Sequence, residues 1–191
     1  MACRDVVICG EPLLRKKARP VREFDQTVQD LFDDMVETLI AEVGLGLAAP
    51  QIGESLQALV VRADAEPEEP IYKLLNPRLE FGKELVEIRE GCLSLPTLRG
   101  DVVRPAEVRV QGLTPEGERI TVEATDMLAR ALQHEYDHLR GVLFTDRVEP
   151  GSLVWMVPDE DEEDGFRYDR TTMREAQEAF DRLRQRRRGG D

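Results

Sequence analysis

Histidine is close to absent from this chain, two in 191 residues, so any imidazole chemistry is confined to wherever that pair lies. Cysteine is scarce as well: three residues, an odd number in no framework spacing, which excludes a disulfide-stapled scaffold and fits a reducing compartment. Cys3 and Cys9 show no role. No apolar run is long enough to span a bilayer, and the opening Met1-Ala2-Cys3-Arg4-Asp5 lacks a basic segment followed by an apolar core, so neither a membrane partner nor a secretory leader is expected. Basic residues are outnumbered, 26 Lys and Arg against 39 Asp and Glu for a net charge of −13, which argues against a generally basic nucleic-acid surface and against a DNA partner. One cytoplasmic catalytic domain with a tail is the expectation, since the length suffices to bury a substantial core.

The two histidines lie four residues apart in Gln133-His134-Glu135-Tyr136-Asp137-His138. On a helix that spacing puts both rings on one face, with Cβ atoms roughly 6 Å apart, close enough to share one metal ion. Glu135 then sits beside the ion without ligating it, and is left to move protons between water and substrate. A catalytic tetrahedral site needs a third protein ligand and keeps one position open. In the frame H-E-x-x-H-x-x-G-x-x-H the last slot holds Phe144, which cannot ligate. Glu175 and Glu178 are candidates for a third ligand from a later helix. The other candidate is Cys92 within Glu90-Gly91-Cys92-Leu93-Ser94, where Gly91 permits close backbone approach.

The rest of the chain alternates between short strands and two or three helices. Residues 5–22 read as an N-terminal strand and an extended arm. From Asp25, an N-cap, the apolar positions Val28, Leu31, Phe32, Met35, Val36, Leu39, Ile40 and Val43 recur at helical spacing until Gly44 stops them. Residues 57–62 read as a buried strand, 63–70 as an acidic loop, 71–81 as extended with a break at Asn76-Pro77, and 84–90 as a strand leading into Cys92. Residues 107–113 and 118–124 flank Thr114-Pro115-Glu116-Gly117, a hairpin signal. The histidine helix runs from Thr125-Asp126 to Gly141, with Met127, Ala131, His134 and His138 on one face; Asp137 is either solvated or supporting. Leu143-Phe144 is a short strand or core anchor, and the apolar stretch 152–157 packs on the domain. Asp159 to Asp164 are consecutive acids, and after Thr171-Thr172 a last helix docks through Met173, Ala176, Phe180 and Leu183 before Arg182, Arg184, Arg186, Arg187 and Arg188.

Three blocks in order, Gly44-Leu45-Gly46-Leu47-Ala48-Ala49-Pro50-Gln51, Glu90 to Ser94 and Gln133 to His138, resemble the three motifs of the peptide deformylases. The resemblance continues through Leu139, Gly141, Leu143, Phe144 and Asp146-Arg147, and begins at Glu11-Pro12-Leu13-Leu14-Arg15. It implies an α+β fold of mostly antiparallel strands around a central metal-binding helix, with the C-terminal helix added. The implied domains are a deformylase catalytic domain at 1–158, an acidic linker or loop at 159–170 and an amphipathic helix with a basic tail at 171–191. The implied activity is removal of the formyl group from the N-terminal formylmethionine of new polypeptides, releasing formate. The implied ligands are Cys92, His134 and His138, around Fe(II) by resemblance, with Zn, Ni or Co able to substitute. Glu135 carries the proton, while the Gln51 amide and the Leu93 backbone N–H meet the oxyanion. Leu45, Gly46, Gly91 and Ala131 form the substrate-binding cleft. A ribosome contact through the arginines of the C-terminal helix is a further expectation. Two rival readings are an endopeptidase using Glu175 or Glu178, and a non-catalytic binding module with a structural metal.

Overall fold

The structure is a computed structural model that describes residues 2–66 and 70–189, residues 188 and 189 in backbone only. Part of the 63–70 loop and the side chain of Arg188 therefore lie outside the described residues. In chain order the elements are α1 (Gln26–Ala41), β1 (Gly46–Ala48), β2 (Ala58–Val61), β3 (Tyr72–Phe81), β4 (Leu85–Cys92), β5 (Leu95–Pro105), β6 (Glu107–Leu113), β7 (Arg119–Thr125), α2 (Asp126–Leu139), β8 (Val154–Pro158), β9 (Phe166–Arg170) and α3 (Met173–Gly189). The strands form a five-stranded sheet, β1-β2-β3-β6-β7, and a four-stranded sheet, β4-β5-β8-β9, with antiparallel neighbours throughout.

α2 is the central helix. Its apolar side, Ala129, Leu132 and Leu139, packs into one cluster with Leu59, Val61, Leu74, Val110 and Val122 of the larger sheet. These strand residues alternate with exposed ones, as in Val108, Val110 and Val122, so one sheet face is buried against the helix. A second cluster joins Cys92, Leu98 and Val102 of the smaller sheet to Phe144, Ala176 and Phe180. α2 thus lies between the two sheets, which is the expected architecture.

Several elements differ from the sequence reading. Residues 5–22 hold no strand; the arm threads past the site instead, Val7 N donating to Gln51 O (2.7 Å) and Cys9 N to Ser94 O (2.8 Å). Asp25 does cap α1, its side chain accepting from Thr27 N at 3.0 Å and Val28 N at 3.4 Å. The helix ends earlier than expected: Val43 takes φ +52, and Gly44 N reaches back to Leu39 O at 3.0 Å, closing a Schellman-type end. Val43, past the helix end, is 70% exposed, and Ile40, within α1, is 53% exposed, so neither is part of the core stripe. Leu143-Phe144 is a core anchor, with Phe144 opening a short 3-10 turn. Within the acidic stretch the backbone turns back, Asp159 N donating to Gly165 O at 2.9 Å, and Phe166–Arg170 then pairs with β8 as β9. In α3, Ala176 and Phe180 are buried and Leu183 partly so, but Met173 is 42% exposed.

Candidate active site

α2 delivers His134 and His138 to the same side, both buried, with ring centroids 5.1 Å apart. Cys92 arrives from the other sheet. It ends β4 at an irregularity between Gly91 and Cys92, where the pairing jumps from Gly91↔Arg99 to Cys92↔Leu95, and the resulting tight bend aims the thiol at the helix. Cys92 Sγ lies 3.2 Å from His138 Nε2, and the donor atoms of Cys92, His134 and His138 all fall within 4.8 Å of one another. Phe144 stacks on His134 with centroids 6.1 Å apart, an apolar wall at the slot where another family carries a third histidine.

Glu90 is the site residue that sequence reasoning missed. Its carboxylate accepts from His134 Nδ1 (2.9 Å), Arg104 Nε (2.6 Å) and Nη2 (2.9 Å), and Arg130 Nη1 (2.9 Å). Donation from Nδ1 leaves the Nε2 lone pair of His134 free for a metal, the arrangement that fixes tautomer and ring orientation in metal centres. Burial alone would raise the Glu90 pKa, but the hydrogen bonds and charges of His134 and Arg104 outweigh it and hold the carboxyl well below the ordinary range. Arg104 also donates to Asp137 Oδ2 (2.6 Å), and Arg147 donates to both Asp137 oxygens at 2.6 and 2.7 Å. Asp137 is therefore supporting rather than solvated.

Burial lowers the pKa of each imidazole, yet the hydrogen bonds from His134 to Cys92 and Glu90 outweigh it and raise that ring well above its ordinary value, so a metal taken up at Nε2 would displace a proton from it. His138 has no such offset: burial and the neighbouring His134 hold it well below, so it is neutral with an available lone pair. One thiol and two imidazoles, that of His134 oriented by Glu90, are a donor set suited to a borderline-soft divalent ion. The residues present fit the metal that an H-E-x-x-H helix implies.

Glu135 sits against this group. Burial pushes its pKa up to about 7, and its Oε2 has no hydrogen-bond partner among the described residues. Gly46 explains how the carboxylate reaches its place: a Cβ built there would stand 2.5 Å from Glu135 Oε1, so only glycine leaves room. Gln51 is held by Ala48 N, which donates to its Oε1 at 2.8 Å, while its Nε2 points at Ser94 Oγ (3.4 Å) and Cys92 Sγ (3.6 Å).

A cleft of about 430 Å³ opens over these groups and brings together Leu45, Gly46, Gln51, Gly91, Cys92, Leu93, Ala131, His134 and Glu135. His138 lies behind it; Met127, expected on the histidine face, and Val43, expected in the first helix's apolar stripe, line it too, as does Arg99, which sequence reasoning did not single out. Glu175 and Glu178 are elsewhere. Both are exposed on α3, and Glu175 caps that helix by accepting from Thr172 N at 2.9 Å while its own N–H donates to Thr172 Oγ1 at 3.3 Å. Neither can complete the site.

Comparison with known proteins agrees with this geometry. The sequence model of the polypeptide deformylase family matches residues 3–153. A peptide deformylase of Alkaliphilus metalliredigens is 44% identical over 150 residues, covering 78% of this chain and 98% of that protein. One of Acidothermus cellulolyticus is 43% identical over 150 residues, covering 78% and 81%. Among solved structures, the Thermotoga maritima peptide deformylase superposes with a TM-score of 0.74 at 34% identity, covering 78% of this chain and all of that one (100%). The Legionella pneumophila enzyme gives 0.74 at 38%, covering 78% and 88%. This chain therefore belongs to the polypeptide deformylase family, the metal-dependent hydrolases that remove the N-formyl group from new polypeptides.

Proposed function

We propose that residues 1–158 carry the whole catalytic apparatus, with Cys92, His134 and His138 as ligands of one divalent ion and Glu135 as general base and acid. Iron(II) is the proposed native metal by resemblance to the family, and zinc, nickel or cobalt would substitute because the donor set suits all four. If bound by these residues, the ion would supply Lewis acidity, which lowers the pKa of a water toward neutrality and makes it a better nucleophile. Glu135 takes the proton of the attacking water and returns it to the departing amine, so that formate and a free N-terminus result. The Gln51 amide and the Leu93 backbone N–H meet the negative charge that develops on the formyl oxygen. The backbone at Gly46 and Gly91 receives the peptide in extended form, and the methionine side chain enters between Leu45 and Ala131. The single observation that carries this reading is the buried, unpartnered Glu135 oxygen beside a Cys92-His134-His138 donor set.

The deciding experiment is formate release from a formyl-Met peptide by wild type and Glu135→Gln, with metal content measured in both. The variant keeps its metal and loses activity by at least the roughly 10²–10⁴ that general acid-base catalysis contributes. Loss of the metal along with activity would make Glu135 a ligand and sink the assignment.

We further propose a cytoplasmic enzyme acting on nascent formyl-Met chains, with residues 159–170 and 171–191 as an appendage and α3 as a ribosome contact. Two of the tail arginines have internal partners: Arg184 donates to Cys9 O and pairs with Asp181 at 2.7 Å, and Arg187 donates to Val6 O at 3.1 Å. Of the others, Arg182 and Arg186 are exposed and carry the proposed contact, while the Arg188 side chain lies outside the described residues. Arg182→Gln/Arg186→Gln should reduce co-sedimentation with ribosomes at low salt, and equal pelleting would remove α3 from this role.

A further inference from the structure

Positive charge is the minority sign in this protein, 26 Lys and Arg against 39 Asp and Glu. Accordingly, guanidinium groups such as those of Arg4, Arg15, Arg89, Arg104, Arg130 and Arg147 are held in ion pairs. One concave surface departs from that pattern. Where the end of α2 meets β3, β6 and β7, a groove of about 940 Å³ is lined by Lys17, Arg78, Arg119 and Arg140 and by no acidic residue. All four are exposed, and none has an ion-pair partner among the described residues. Glu116, on the neighbouring hairpin turn, is occupied by Gln29 Nε2 of α1 at 3.3 Å. The C-terminal end of α2 adds partial negative charge, which Arg140 at its cap offsets; the other cations stay uncompensated.

Like charges gathered this way repel one another, and Lys17, Arg78 and Arg119 make no ion pair among the described residues to offset that repulsion. The remaining lining mixes the amides of Gln57, Asn76 and Gln111 with Pro20, Pro77, Leu113, Ile120 and Leu139, so the only charged groups the groove presents are cations. Tyr136 supplies one aromatic face, with the Arg140 guanidinium 5.7 Å from its ring centre. Cations along a groove beside an aromatic ring match the chemistry of a single nucleic-acid strand, phosphates on the cations and a base on the ring.

We propose that this groove binds an RNA strand through its phosphates. The choice of RNA rests on the deformylase reading, because a new polypeptide is still beside the RNA on which it was made. Groove and cleft share no lining residue: α2 turns His134 and Glu135 to one and Tyr136 and Arg140 to the other, so an occupied groove leaves the cleft open.

The test is fluorescence anisotropy of a labelled single-stranded RNA oligonucleotide with the full chain over a range of salt. Neutralising four phosphates gives a log–log salt slope near about −3, since each contributes about −0.7 on a single strand. Arg78→Glu/Arg119→Glu should weaken binding at least tenfold at low salt and flatten the slope, while Arg78→Lys/Arg119→Lys retains most of it. Formate release from a formyl-Met peptide should be the same in all forms. Absent binding by the wild type overturns the proposal, as does binding that survives the glutamate pair but falls with Arg182→Gln/Arg186→Gln, which would belong to α3. Displacement of the RNA by an equal charge of polyglutamate would make an acidic polypeptide the occupant and overturn it too. A protein that binds RNA as described but releases no formate keeps the groove and loses the deformylase reading.

Discussion

Glu90 and Gly46 decide, one by charge and one by the absence of a side chain, where the reactive groups stand. Glu90 is a positioning residue: it touches His134 Nδ1 and acts through that ring. Glu90→Gln should lower metal affinity by the roughly 10–100-fold that loss of such a partner typically costs, measured by competition with a chromophoric chelator. An unchanged affinity would reduce Glu90 to a partner of Arg104 and Arg130. Gly46→Ala brings a methyl within 2.5 Å of Glu135 Oε1, and the carboxylate must move because the strand backbone cannot. The expected result is full metal content with kcat/KM reduced at least tenfold. A variant of normal activity would mean that Glu135 works from another rotamer.

At the scale of elements, the buried ion-pair network stitches α2 to the smaller sheet. Arg104 on β5 reaches Glu90 on β4 and Asp137 on α2, all with side chains about 5% exposed or less. Removing one partner leaves the others charged and buried, so Arg104→Leu should lose about 3–5 kcal/mol of stability in urea. A loss under about 1 kcal/mol would show that water or Arg147 replaces it. α3 is a packed element rather than a free tail: Phe180 is buried, its ring edge-on to Trp155 at 5.6 Å. Phe180→Ala should cost about 3–5 kcal/mol while leaving the activity of the folded protein unchanged. These elements also show what the sequence made legible. α1, α2 and the β6–β7 hairpin follow from periodicity and turn residues, which are local signals. β5 was missed because Pro96, Gly100 and Pro105 interrupt its alternation, and Glu90 was passed over because its partners lie 14, 40 and 44 residues away. A buried carboxylate gives no pattern in sequence until its cations are brought to it.

For the molecule as a whole, the proposed ion would join the two sheets at α2, since Cys92 belongs to the four-stranded sheet while the histidines ride on the helix packed against the other. A metal that binds only the folded form stabilises it by mass action, about 4 kcal/mol at a thousandfold excess over Kd. For a chain of this size each kcal/mol moves Tm by roughly 2–4 °C, so chelation should lower Tm by about 8–16 °C. Cys92→Ala should begin at the lower Tm and respond little to chelator, whereas Glu178→Ala, altered at an exposed position of α3, should behave as wild type. If instead Cys92→Ala kept the full response to chelator and Glu178→Ala lost it, the ligand set would have to be redrawn around α3 despite the exposure of Glu178 there. A chelator response in neither variant nor wild type would mean that the donors are already held in place by Glu90, Phe144 and the β4–β5 bend. The ion would then contribute chemistry without contributing to the fold.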